Sequence, residues 1–113
     1  MAKYENIIAG TVSSFVDYLV QNKNSLGASI SLENQTEVIV NGVEVSSYVF
    51  ERYSYTGKNR VSLSVTLIGY NDQIHISAIT SGGSQAVLFK INTFGEEAFL
   101  EKFEYLVNRY SEY

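Results

Sequence analysis

The sequence predicts an α+β domain: a curved antiparallel β-sheet with two amphipathic helices packed on one face, in the order β-α-β(4 or 5)-α. Three observations predict it. Apolar and polar residues alternate along successive stretches between positions 28 and 91, the period of half-buried strands. A 3.6-residue apolar period marks one helix near the N-terminus and a second at the C-terminus. Short turns rich in Gly and Asn separate the strands. Two helices with one apolar side each need something apolar to cover, and a meander with one apolar face supplies it.

Each element has its own warrant. Residues 4–10 read as a first strand, with Ile7 and Ile8 as its apolar content. Thr11 opens a helix, its hydroxyl suited to accept from an unpaired first-turn N–H. Val12, Phe15, Val16, Leu19 and Val20 follow at i, i+3, i+4, i+7 and i+8. The helix fades through Gln21–Asn24, and Gly27 is the expected left-handed stop. Ala28, Ile30 and Leu32 alternate with Ser29, Ser31 and Glu33 as a strand, and Asn34-Gln35-Thr36 reads as a polar break. Val38-Ile39-Val40 and Val43-Glu44-Val45 flank Asn41-Gly42, a type I′ hairpin signal because both turn residues tolerate positive φ. The second arm is expected to run to Tyr55. Val61, Leu63, Val65 and Leu67 form the next strand, Gly69–Asp72 the next turn, and Ile74, Ile76 and Ala78 the strand after it. Gly82-Gly83 turns the chain again, and Val87, Phe89 and Ile91 predict one more strand. Thr93-Phe94-Gly95-Glu96 fits a capping box opening the last helix. Phe99, Phe103, Leu106, Val107 and Tyr110 are its apolar stripe. The element order resembles that of TATA-box-binding-protein-like and helix-grip folds, an analogy of fold that carries no function.

Composition sets the outer bounds. At 113 residues the chain reads as one domain, 1–113. Apolar residues make up 45% and charged residues 18%, which argues against intrinsic disorder. There is no Cys, so disulfides, thiolate metal sites and Cys nucleophiles are excluded. Net charge is −4, and the basic face that phosphate binding demands is missing, so no nucleic-acid partner is expected. The first six residues lack the basic region and long apolar core of a signal peptide. No apolar run approaches the roughly 20 residues of a membrane helix, so no membrane partner is expected.

Three long phrases carry a family resemblance. They are Phe50-Glu51-Arg52-Tyr53-Ser54-Tyr55-Thr56-Gly57 running on to Asn59-Arg60-Val61-Ser62-Leu63, then Ser77–Ala86, then Lys90–Glu97. Over roughly its C-terminal half, the chain resembles a family of short uncharacterised bacterial proteins, of Firmicutes type, catalogued as a domain of unknown function. The resemblance implies a bacterial, cytoplasmic protein. It brings no catalytic residues and no cofactor with it.

Candidate chemistry is sparse. The turns near 56–59 and 81–84 are two strands apart, so a meander puts them at one end of the sheet. There Arg52, Lys58, Asn59 and Arg60 are expected to meet Ser81, Gly82, Gly83 and Ser84, whose backbone N–H groups can form a nest for a small anion. The plainer reading is two hairpin turns using Gly for positive φ. An apolar pocket between sheet and helices, lined by residues such as Phe15, Leu19, Tyr53, Val65, Phe89, Phe99 and Phe103, is a second candidate ligand site. A filled core is its plainer counterpart. Tyr48, Phe50, Tyr53, Tyr55 and Tyr70 lie on strands or turns with large side chains on both faces, and the first four are the candidate interface, on the argument that aromatics left on the uncovered sheet face mark a partner, often a second copy. His75 is the only His and has no acid placed beside it by local spacing. The serines at 77, 81 and 84 have no assignable base. The sequence therefore favours a non-enzymatic binding module that forms a homodimer, without cofactor or metal. A protein for a small anionic or apolar ligand comes second, and an enzyme third.

Overall fold

The computed structural model describes residues 1–27, 29–54, 59–82 and 89–110, with the side chains at 54, 59 and 89–94 left out of the description. The elements are β1 (Ala2–Ala9), α1 (Val12–Gln21), a single 3-10 turn (Lys23–Leu26), β2 (Ser31–Val40), β3 (Val43–Ser54), β4 (Asn59–Tyr70), β5 (Gln73–Gly82) and α2 (Phe89–Tyr110). The strands form one antiparallel sheet in the order β1-β5-β4-β3-β2. β2 to β5 are a meander, and β1 closes onto the far side of β5. The sheet is open, with β1 and β2 as its edges. The chain has the α+β fold its periodicities predict.

Local chemistry explains most boundaries. Thr11 caps α1, its hydroxyl accepting from the Ser14 N–H at 3.3 Å. Asn41 and Gly42 have φ of 52° and 80°, the doubly positive pair of a type I′ turn. Asn71 and Asp72, at 54° and 58°, make a second such turn between β4 and β5. Gly69 is therefore not a turn residue. It lies in β4, where an added Cβ would stand 2.5 Å from Val12 Cγ2, so the missing side chain lets α1 sit down on the sheet.

The helices share one face. Val61, Leu63, Val65 and Leu67 of β4 and Ile74, Ile76 and Ala78 of β5 are buried beneath Phe15 and Leu19 of α1 and Phe99, Phe103, Leu106 and Val107 of α2. Each large side chain so buried is worth about 1.5–3 kcal/mol relative to exposure. The helices are tied together by Tyr18, whose hydroxyl donates to the Leu106 carbonyl at 2.7 Å. Tyr110 completes the joint, its ring centre 5.1 Å from that of Phe15 and 5.0 Å from that of Tyr18.

Five further expectations are corrected. Of the strand predicted over Val87–Ile91, the described part is helical, because α2 already begins at Phe89, and Val87 and Leu88 lie outside the described residues. The physical reason is topological: β1 and β4 occupy both sides of β5, so no ladder is open to a further strand there. Thr93 is consequently inside α2 rather than its cap, and Glu96 turns its carboxylate to the Gly82 N–H at 2.8 Å. Gly27 is extended, with φ 163°, and serves close approach instead: its Cβ would lie 2.8 Å from Arg52 Cδ. Asn34–Thr36 is not a break but part of β2, with only a register shift between Leu32 and Asn34. An edge strand has water on one side and tolerates such polar content. Finally, Val20 is exposed where it was expected on the buried stripe, and Tyr18 takes its place.

Candidate interaction face

The strand pairing arranges the uncovered side of the sheet into rows. One row crosses all five strands: Ile7, His75, Ile68, Val45 and Val38, joined by successive cross-strand pairs. Ile7 is 55% exposed, Ile68 39% and Val38 51%. The neighbouring row is polar: Glu5, Ser77, Thr66, Ser47 and Thr36. The next pairs Lys3 and Ile79 with Ser64, Val49 and Asn34. Where the first two rows meet β1 and β5, the surface dips into a shallow depression of about 560 Å³ between Glu5, Ile7, Thr66, Ile68, His75 and Ser77.

The sequence does carry a sign of this face. Ile7-Ile8, Leu67-Ile68, Ala78-Ile79 and Val38-Ile39-Val40 are consecutive apolar residues inside period-two strands. Successive side chains point to opposite faces, so each such step puts apolar surface on both sides. Reading the strands only for their buried positions passes over the second member.

The predicted anion cluster is split by the sheet. Arg52 points to the helical side. Its guanidinium donates to the Leu26 carbonyl at 2.7 Å and to the Gly95 carbonyl at 3.5 Å, and it stacks 4.6 Å from the Phe99 ring centre. Burial lowers its pKa. Arg60 is on the opposite, uncovered side, 3.9 Å from the Glu51 carboxylate. Ser81 shares that side, its hydroxyl 3.1 Å from that of Ser62. The Gly82 N–H, expected in an anion nest, already donates to Glu96, which also pairs with the Met1 ammonium at 3.0 Å. Asn59 heads β4. Its side chain, and Lys58, Gly83 and Ser84, lie outside the described residues.

The predicted aromatic interface is likewise divided. Tyr48 and Phe50 are buried under the helices, on the strand positions that alternate with the uncovered face. Tyr48 donates its hydroxyl to Glu37 at 2.7 Å. Burial first, then the hydrogen bond and the negative charge of Glu37, push its pKa up to about 12. Tyr53 is on the uncovered face, and Tyr55 lies outside the described residues. Tyr53 is also absent from the core, while Phe15, Leu19, Val65, Phe99 and Phe103 pack together at zero exposure in place of the predicted ligand pocket. The side chain of Phe89, predicted in that pocket too, lies outside the described residues.

Among the described residues no three His, Asp or Glu side chains are grouped to hold a metal ion. Nor is any described helix long and apolar enough to cross a membrane. The fold is similar to that of a solved Pseudomonas aeruginosa protein of unknown function, PA94, which carries the provisional description of a regulator. The TM-score is 0.52 at 11% identity, over 87% of this chain and 81% of that one, a likeness of fold alone. No curated protein matches the chain. The profile of DUF6054 matches residues 1–111, and the chain therefore belongs to that family of unknown function.

Proposed function

We propose that this chain is a non-enzymatic interaction module of the bacterial cytoplasm that works as a homodimer. The observation that carries the reading is the apolar surface left outside the helical layer: the row Ile7, Ile68, Val45, Val38 and the bare end of β2. Single exposed apolar residues are ordinary, but an aligned row across a sheet favours a covering partner. A second reading is a small apolar ligand, and the depression beside Ile7 and Ile68 favours it.

A native mass spectrum of the protein as purified separates the two. A dimer without adduct supports the module. A monomer carrying a defined adduct supports the ligand reading and overturns the first. A bare monomer that also stays monomeric in light scattering at the highest soluble concentration overturns both.

A further inference from the structure

We infer that two copies join edge to edge through β2, about a two-fold axis at Val38, so that two five-stranded sheets become one of ten strands. The inference rests on the homodimer reading and specifies its surface.

β2 is unlike the other strands. From Glu33 to Val40 every residue is exposed, including Ile39 at 73%. The helices pack chiefly over β1, β5 and β4 and cover Tyr48, Phe50 and Arg52 of β3, while β2 from Glu33 onward stays exposed. After the register shift at Leu32/Asn34, the segment Asn34–Val40 pairs with β3 in unbroken register. Long exposed edges are templates for another strand, and natural proteins blunt them with charged side chains (above all Lys), Pro, bulges or a helix. β2 has no Lys and no Pro, and beyond the register shift its one charge is Glu37. The opposite edge differs: β1 carries Lys3 paired with Glu5 and lies beside α2.

The two-residue turn decides which backbone groups are free. Val40 and Val43 close it and form a hydrogen-bonded pair, so bonded and non-bonded pairs alternate from there. Val38 and Thr36 bond inward to β3. Gln35, Glu37 and Ile39 aim N–H and C=O outward. A two-fold at Glu37 would set two carboxylates directly opposite each other, which destabilises a strand pair. A two-fold at Val38 avoids this. Glu37 then exchanges hydrogen bonds with the partner's Ile39, Val38 faces the partner's Val38, and Thr36 faces the partner's Val40. This register also carries the apolar row Ile7, Ile68, Val45, Val38 across the joint into its copy. Face-to-face packing of the two sheets would instead bury the hydroxyl row and Glu5. The edge contact is small, below the ~1,200 Å² at which standard interfaces begin, so dimerisation is concentration-dependent.

The register yields a charge test. Ile39→Lys puts two ammonium groups opposite two Glu37 carboxylates and is expected to tighten the dimer about fivefold by sedimentation equilibrium. Ile39→Glu is expected to weaken it by a similar factor. A generic blocked edge would be weakened by both, and that result overturns the inference. Because the chain lacks Cys, single-Cys variants report register cleanly. Val38→Cys is expected to form an interchain disulfide on mild oxidation, and Thr36→Cys is not. The reverse pattern overturns the register. A dimer that ignores both Ile39 substitutions but is lost in Ile68→Lys packs face to face: the homodimer reading stands and the edge inference fails. A wild-type monomer at all concentrations overturns both.

Discussion

Arg52 sits over the Phe99 ring, its guanidinium carbon 4.6 Å from the ring centre, while one nitrogen donates to the Leu26 carbonyl at 2.7 Å. One side chain from β3 thus joins α2 to the 3-10 turn after α1. Gly27 makes room for it, and an added Cβ there would overlap Arg52 Cδ.

Arg52→Lys keeps the charge but loses the planar fork and the stacking. It is expected to lower stability by about 1–2 kcal/mol, since a charge-assisted bond and a half-buried cation–π contact are lost together. Urea unfolding with an unchanged m-value checks this. No loss would mean that Arg52 is a solvated bystander.

Gly69→Ala is expected to cost about 1–3 kcal/mol through overpacking, because the new methyl meets Val12 Cγ2 at 2.5 Å. Combining it with Val12→Ala removes the atom it strikes. The double variant is expected to be more stable than the sum of the two single losses predicts, in a double-mutant cycle by thermal or urea unfolding.

Tyr48 gives an alkaline signature. Its phenol titrates near 10.0 without the fold and at about 12 within it. The unfolded chain therefore releases this proton first as pH rises. The stability contributed is fully present below pH 10 and is lost as pH climbs towards 12. Tyr48→Phe is expected to show a shallower loss over that window than wild type, followed by urea midpoints. The other tyrosines contribute equally to both proteins, so the difference isolates Tyr48.

How much of this was legible depends on the range of the interaction. The Asn41-Gly42 turn, the Thr11 cap and the Phe99–Tyr110 stripe are set by residues within a few positions of one another, and they stand as the sequence predicts. The candidate site did not transfer in the same way. Arg52 and Arg60 are only eight positions apart, yet hairpin register places them on opposite faces, one under α2 and one in the open. A Tyr-rich strand offers large side chains to both faces, so its pattern alone does not tell that Tyr48 and Phe50 lie under the helices. Which face the helices take is decided by packing at long range.

By itself, the sequence determined the types of most elements, the antiparallel meander, the helix pair and the absence of cysteine chemistry, because propensity, periodicity and turn geometry are local properties. Tertiary structure alone decided the rest. It inserted β1 beside β5, which closed that edge to the strand expected at 87–91 and extended α2 back to Phe89. It put both helices on one face and left Ile7, Ile68 and Val38 aligned on the other. These outcomes follow from which strand finds a free ladder and which face is covered, contacts between residues tens of positions apart that no local pattern encodes.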